Sequence, residues 1–249
     1  MTSGLVMDIG AHNGNDTAHY LSRGFNVVAV EANPALCTQL RARFGTELSD
    51  GTLQLVEAAI SNRIGLIDFW VNDTQTEWSS IVEEVGERGG AARRISVPTV
   101  TMEYLFGKFG APYYLKIDIE RADVHCLRSI RPNDRPSYVS VEAHELEYLF
   151  LLRAAGYNAF KCVDQMSHND KQVPRFTRLR RMTEKIQRRV LHVNQRFPKG
   201  SSGPMPDETI GTWQTLEQTA YEWLHFNFGY QRRTRLYCHS WIDFHATVR

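Results

Sequence analysis

Met7-Asp8-Ile9-Gly10-Ala11-His12-Asn13-Gly14 decides how this chain is read. The apolar run Leu5 to Ile9 has the length and composition of a β-strand, and it breaks at glycine before a helical pattern from about Asp16 to Ser22. A strand, a glycine turn and a helix in that order form the place where open α/β sheets take nucleotide-like ligands. Gly10 and Gly14 permit unusual φ values and close backbone approach, and the Asp8 carboxylate suits a ligand ammonium or a bound water. Dinucleotide sites use Gly-x-Gly-x-x-Gly because a pyrophosphate must reach the helix N-terminus. Here the spacing is Gly-x-x-x-Gly with polar residues between, which favours a ligand without pyrophosphate, and Asn13 joins the glycines as a candidate contact.

Outward from that turn, the first half alternates short β-branched runs with helical patterns, the signature of βαβ units around a parallel sheet. Phe25 to Glu31 is the second strand, and Pro34 opens a helix that runs to about Phe44. Leu53 to Ile60 reads as the third strand and Leu66 to Val71 as an additional one, with Gly86 to Arg94 a polar loop. Tyr113 to Ile119 is a buried fourth strand followed by a helix over Ala122 to Ile130, and Tyr138 to Ala143 is the fifth. A helix over Glu145 to Ala155, a strand over Asn158 to Val163, a helix over Trp213 to Phe228 and a closing strand over Leu236 to Val248 complete the pattern. The expected fold class is α/β: one doubly wound, mostly parallel sheet with an antiparallel closing strand, in a single domain over 1–249.

Composition narrows the function. With 249 residues, 42% hydrophobic and 23% charged, the chain can bury a core. A net charge of +1 excludes a globally basic nucleic-acid binder. Cys37, Cys126, Cys162 and Cys238 form no Cys-x-x-Cys pair, so reduced thiols in a cytoplasmic setting are expected. No apolar run has the length of a membrane span, no secretory signal is visible, and nothing in the sequence argues against a homo-oligomer.

Glu31 ends the second strand about twenty residues beyond the glycines, where an acid accepts ribose hydroxyl protons. Ala32 follows it, and Glu57 with Ala58 falls near the expected adenine pocket. S-adenosylmethionine satisfies these features better than NAD. Four segments in this order, Asp8-Ile9-Gly10-Ala11-His12-Asn13-Gly14, Val30-Glu31-Ala32-Asn33-Pro34, Ala58-Ala59-Ile60-Ser61 and Leu115-Lys116-Ile117-Asp118-Ile119-Glu120, resemble the FkbM-type methyltransferases. The resemblance covers about residues 5 to 163, and Trp78-Ser79-Ser80 and Trp241 to Ala246 are compatible with it. It implies a class I methyltransferase (Rossmann-like) fold, S-adenosylmethionine as cofactor, and methylation of hydroxyls on sugars, oligosaccharides, polyketides or other small natural products. One departure stands out: Glu120-Arg121-Ala122-Asp123 replaces the usual Glu-Gly-Ala-Glu, so Arg121 is expected to fill space near the site.

Methyl transfer to an alcohol needs the acceptor placed in line and its proton removed. Asp118 and Glu120 share one face of the fourth strand, as Glu142 and His144 do on leaving the fifth, so three carboxylates and an imidazole gather at neighbouring strand ends. His144, with Asp118 and Glu120, is the candidate catalytic group; alternatively a divalent cation such as Mg²⁺ binds Asp118 and Glu142 and lowers the hydroxyl pKa. The bland reading pairs Glu142 or Glu120 with Arg121, Lys116 or a helix N-terminus. His12 and Trp78 to Ser80 are further candidates for the acceptor side.

From Lys171 to Lys199 the chain holds ten Lys or Arg and one acid, Glu184. A basic insertion or lid over 165–212 is therefore expected before the last helix and strand. Two rival readings remain: an NAD-dependent oxidoreductase, against which the missing Gly-x-Gly-x-x-Gly counts, and a non-catalytic RNA-binding module using the Arg-rich insertion.

Overall fold

A computed structural model describes residues 4–90, 92–165, 197, 201–202, 205–209, 211–229 and 241–249. The parallel sheet begins with β1 (Leu5–Ile9), β2 (Asn26–Glu31) and β3 (Leu53–Glu57), joined through α1 (Asn15–Ser22) and then α2 (Pro34–Arg43) with α3 (Gly45–Asp50). Strand propensity is satisfied from both sides: Met7 and Ile9 face one apolar layer, and Val6 faces another that includes Tyr20, Leu40 and Phe44. Pro34 starts α2 behind Asn33, whose side chain accepts the Ala35 amide.

The expected third strand is two strands in two sheets. Leu53–Glu57 pairs with β2, while β4 (Ala59–Ile60) leaves to pair with β6 (Ala92–Val100), which in turn runs antiparallel to β5 (Gly65–Asn72). Small Ala58, between the two, is where the backbone changes sheets. The polar loop expected over Gly86 to Arg94 is narrower: residues 87–90 are turn, while Gly86 ends α4 (Glu83–Gly86) and residues 92–94 begin β6. Its consecutive arginines, Arg93 and Arg94, are both exposed at the start of the strand, and the buried alternation of Val97 and Thr99 begins only after them, which hid the period.

After α5 (Met102–Phe109), β7 (Tyr114–Ile117) lies beside β1, and β8 (Tyr138–Glu142) lies beside β7. The helix expected over Ala122 to Ile130 contracts to α6 (Val124–Leu127), and α7 (Glu147–Ala154) precedes β9 (Ala159–Asp164). Helix α8 (Leu216–Leu224) opens with a reciprocal Thr215–Gln218 cap. Antiparallel β10 (Ile242–Thr247) then slots between β8 and β9. The main sheet order is therefore β3-β2-β1-β7-β8-β10-β9, a doubly wound α/β sheet with an antiparallel closing strand, as expected.

Because the order reverses between β1 and β7, the C-terminal ends of those strands open a crevice at the switch point. Of the expected insertion, the basic run lies almost wholly outside the described residues. The part described after it is packed rather than overhanging: Met205 joins the core, and buried Lys161 donates to the Pro206 and Thr209 carbonyls. No described helix is long and apolar enough to cross a membrane.

Candidate active site

The glycine turn is held by the protein itself. Gly10 takes φ 83, and a Cβ there would collide with the Asp118 carbonyl, because the Asp118 amide bonds Ile9 O at 2.9 Å and locks the ends of β1 and β7 together. Gly14 takes φ 78 against Leu40 and Phe44. Both glycines are required by packing, and Gly14 does not line the crevice.

Asp8 is fully buried behind this turn. Its Oδ2 accepts from Thr17 Oγ1 at 2.6 Å and its Oδ1 sits 3.2 Å from Lys116 Nζ, so both oxygens are engaged inside the protein. Lys116, only 3% exposed, also donates to Gly10 O at 3.0 Å and faces Asp118 at 3.5 Å and Asp16 at 3.8 Å. Burial alone would favour the neutral amine, but Asp8, Asp118 and Asp16 outweigh it and hold the ammonium well above the ordinary lysine range. Burial pushes Asp16 up to about 6 even though Lys116 opposes it; Asp16 also accepts from Ser201 Oγ and from Ser202 N at 3.0 Å. The sequence reading missed this internal ion cluster. Its signal was there: Asp8 and Lys116 are register partners across β1 and β7, a pairing visible once the two strands are set side by side.

In front of the cluster opens a cleft of about 370 Å³, lined by Gly10, His12, Asn13, Asp118, Glu120 and Glu142 on the sheet side. Gln75, Glu77, Trp78 and Arg88, carried by the β5–β6 hairpin, and Trp241 close the other sides. A side chamber of about 60 Å³ continues from it past Glu31, Ala32, Ala58, Ile60, Phe69 and Ile119. Glu31 accepts the His12 amide at 2.8 Å and the Asn33 amide at 2.8 Å; burial raises its pKa against those bonds. Ala32 and Ala58 put small apolar side chains on its wall. Glu57 takes no part. It points away to an exposed ion pair with Arg41.

Of the hairpin wall, the sequence offered Trp78 but not the groups that hold it. Asn72, fully buried, accepts from Thr74 N, Thr74 Oγ1 and Gln75 N and donates to the Gly86 and Arg88 carbonyls, so one side chain ties both arms of the wall. Arg88 lies over the Trp78 ring at 5.4 Å, and His12 Nε2 meets Thr76 Oγ1 at 2.8 Å. Ser79 and Ser80 serve the backbone: Ser79 Oγ accepts from Asn72 N, and Ser80 Oγ donates to Glu120 O.

At the acceptor end, Glu142 lines the cleft and His144 stands behind it, Nε2 3.0 Å from Glu142 Oε2. Burial lowers the imidazole pKa, but the bond to Glu142 and the charges of Glu142, Asp123 and Glu120 raise it overall. Burial, then Glu142 and Asp118, push Glu120 up to about 8. The metal pair expected from sequence is regrouped: Glu142 clusters with Glu120 and His144, while Asp118 faces the Lys116 ammonium. The bland pairings are not those seen either, since Glu120 has Arg88 at 3.9 Å.

Arg121 does not fill the site. It points outward to Glu145 at 3.7 Å with its side chain half exposed. The glycine usual at this place has a backbone reason, because Glu120 and Arg121 adopt φ 53 and φ 69 in succession. Arg121→Gly is expected to stabilise the fold by about 1 kcal/mol, from relief of the left-handed strain; an unchanged urea midpoint would contradict that account.

These features define the class: a Rossmann-like α/β protein whose switch-point crevice opens into an acidic cleft. The methyltransferase FkbM domain matches residues 8–173 of the 249, and the chain belongs to that family. Family membership decides against the nicotinamide oxidoreductase. No curated protein matches the chain. Among solved structures, a precorrin-6y C5,15-methyltransferase from Geobacter metallireducens is 15% identical, with 65% of this chain and 67% of that one covered and a TM-score of 0.37. A putative RNA methyltransferase from Pyrococcus horikoshii is 12% identical over 65% and 63%, TM-score 0.34. An S-adenosylmethionine-dependent methyltransferase from Geobacter sulfurreducens, in complex with S-adenosylhomocysteine, is 12% identical over 99% and 85%, TM-score 0.39. The chain spans about two thirds of the length of the first two.

Proposed function

We propose that this protein is an S-adenosylmethionine-dependent O-methyltransferase acting on a hydroxyl of a sugar, oligosaccharide or other small natural product. The observation that carries the reading is the Glu142–His144 pair, 3.0 Å apart at the cleft floor and continuous with the nucleoside crevice. The residues present fit the cofactor. The side chamber takes a flat ring, Glu31 keeps lone pairs for a ribose diol, and Asn13 with the Gly10 turn borders the space between. Acids outnumber bases along the cleft, which suits a cationic ligand. When bound, S-adenosylmethionine supplies an already activated methyl group, so the protein's task is placement and proton removal.

Glu142 is the group that meets the acceptor hydroxyl, and the proton passes to the Glu142–His144 pair. His144 holds the carboxylate in position and shares the charge. This refines the expectation of His144 acting with Asp118 and Glu120: the carboxylate that pairs with the imidazole is Glu142. Asp118, next to the cofactor turn, and Glu120 border the transfer path. The hairpin wall around Trp78 and Arg88 faces the acceptor.

Two measurements test the proposal. Incubation with methyl-labelled cofactor and a panel of sugars and polyketides should transfer label to oxygen; transfer to nitrogen or carbon alone would overturn the hydroxyl assignment. In calorimetry, Glu31→Ala should weaken S-adenosylhomocysteine binding by roughly 10- to 100-fold, the worth of hydrogen bonds to a charged acceptor. Equal affinity would remove Glu31 from the ribose site.

A further inference from the structure

The carboxylates around the reaction pocket outnumber the cations that face them. Lys116 is already divided among Asp8, Asp16 and Asp118. Arg88 approaches Glu120 only to 3.9 Å from a side chain that is 42% exposed. Glu120 and Glu142 are 12% and 19% exposed at the side chain, so both sit where water screens them poorly.

Two more acids stand behind them. Asp243 is a register partner of Glu142 across β8 and β10, and directly opposed residues of an antiparallel pair share a face of the sheet. It is 3% exposed; Gln165 Nε2 takes its Oδ2 at 2.6 Å, and its Oδ1 has no hydrogen bond. Asp123 is fully buried, gives Oδ1 to the Ile119 amide at 3.1 Å and leaves Oδ2 without a donor. Its strongest favourable charge partner is His144. Buried carboxylate oxygens without donors, close to the cleft, mark a place where positive charge is missing.

From these observations we infer that Glu120, Glu142 and His144 form a binding site for one divalent metal ion at the acceptor end of the cleft. One ligand atom from each lies within 4.8 Å of the others. Ligands on opposite sides of a small divalent ion lie about 4.2 Å apart, so slight side-chain rotation closes the set. Two carboxylates and one imidazole leave further coordination positions open toward the cleft, the arrangement of a site that also takes an exchangeable ligand. The mixed oxygen and nitrogen donors suit Mn²⁺ or Fe²⁺, and Mg²⁺ less well. Asp123 and Asp243 lie behind these ligands, each with one buried carboxylate oxygen that has no hydrogen-bond donor. Glu120 reaches the set through its left-handed backbone, φ 53. An ion here would polarise an acceptor oxygen as a Lewis acid and so lower its proton affinity, taking over that task from the Glu142–His144 pair, whose lone pairs would then be committed to the metal. The role, though not the site, rests on the O-methyltransferase reading above.

The test uses full-length protein stripped with a chelator and titrated with Mn²⁺ alone, followed by electron paramagnetic resonance. One tight ion per chain is expected, with spin-echo modulation from a single imidazole nitrogen. Glu120→Gln and His144→Gln should each weaken binding at least tenfold, and His144→Gln should abolish the nitrogen modulation. Asp118→Asn should bind as wild type. Several weak ions, no nitrogen modulation in the unaltered protein, or loss of binding in Asp118→Asn but not in Glu120→Gln would each overturn the site. S-adenosylhomocysteine affinity, measured on the same samples, separates this proposal from the cofactor reading: cofactor binding without Mn²⁺ sinks only the metal site, and Mn²⁺ binding without cofactor sinks only the other.

Discussion

Lys116→Met is expected to destabilise the protein by about 3–5 kcal/mol, the cost of removing one partner from a buried ion group. The ammonium touches Asp8, Asp16, Asp118 and the Gly10 carbonyl at 3.0 to 3.8 Å, inside a strand whose other residues are apolar. Methionine fills a similar volume, so the loss is electrostatic: three carboxylates are left without their common counter-ion, and the glycine turn loses its anchor. Urea unfolding at neutral pH measures the effect. Adding Asp8→Asn to Lys116→Met should recover part of it, because a neutral amide needs no counter-ion. A single substitution costing under 1 kcal/mol would show that the cluster is not what joins β1 to β7.

Glu142→Gln carries the second large effect. The amide keeps size and hydrogen-bonding reach but accepts a proton poorly, so turnover should fall by about 10²–10⁴-fold, the usual worth of general base catalysis. Cofactor affinity should stay within about twofold, since the proposed nucleoside contacts are at Glu31 and the Gly10 turn. His144→Gln should lower turnover less and leave the unfolding midpoint nearly unchanged, because its partner remains on the cleft wall. Undiminished turnover in Glu142→Gln would remove the carboxylate from proton transfer.

The parts of this site that can be read in the sequence follow from local rules. Short continuous apolar runs, glycines at a strand end and an acid about twenty residues on make β1, β2, the turn and Glu31 legible. Asp118, Glu120, Glu142 and His144 could be grouped because parallel neighbouring strands end at one edge. What escaped depends on which strands pair and where the chain changes sheets. Lys116 reads as one charge in an apolar strand until Asp8 is placed opposite it. Glu57 looks like a pocket residue until the backbone turns at Ala58 and sends its carboxylate to Arg41. Asn72 and Arg88 have no motif at all, because their work is to hold a wall assembled from segments fourteen to sixteen residues apart. Arg121 misled for a different reason: a glycine was read as space, when the backbone angle was what mattered.

The single-asparagine clamp at Asn72 has a bearing on redesign. The glycine turn proposed to hold the nucleoside sits on strand ends fixed by the close approach of Gly10 to Asp118, where an insertion would push β1 and β7 apart. The opposite wall stands on the separate β5–β6 hairpin with one amide tying its loops, 74–78 and 86–90, which meet the glycine turn at the His12–Thr76 contact and can otherwise vary outside the main sheet. New acceptor ranges should therefore be sought by grafting those two loops as a unit with Asn72 retained, rather than by recutting the floor.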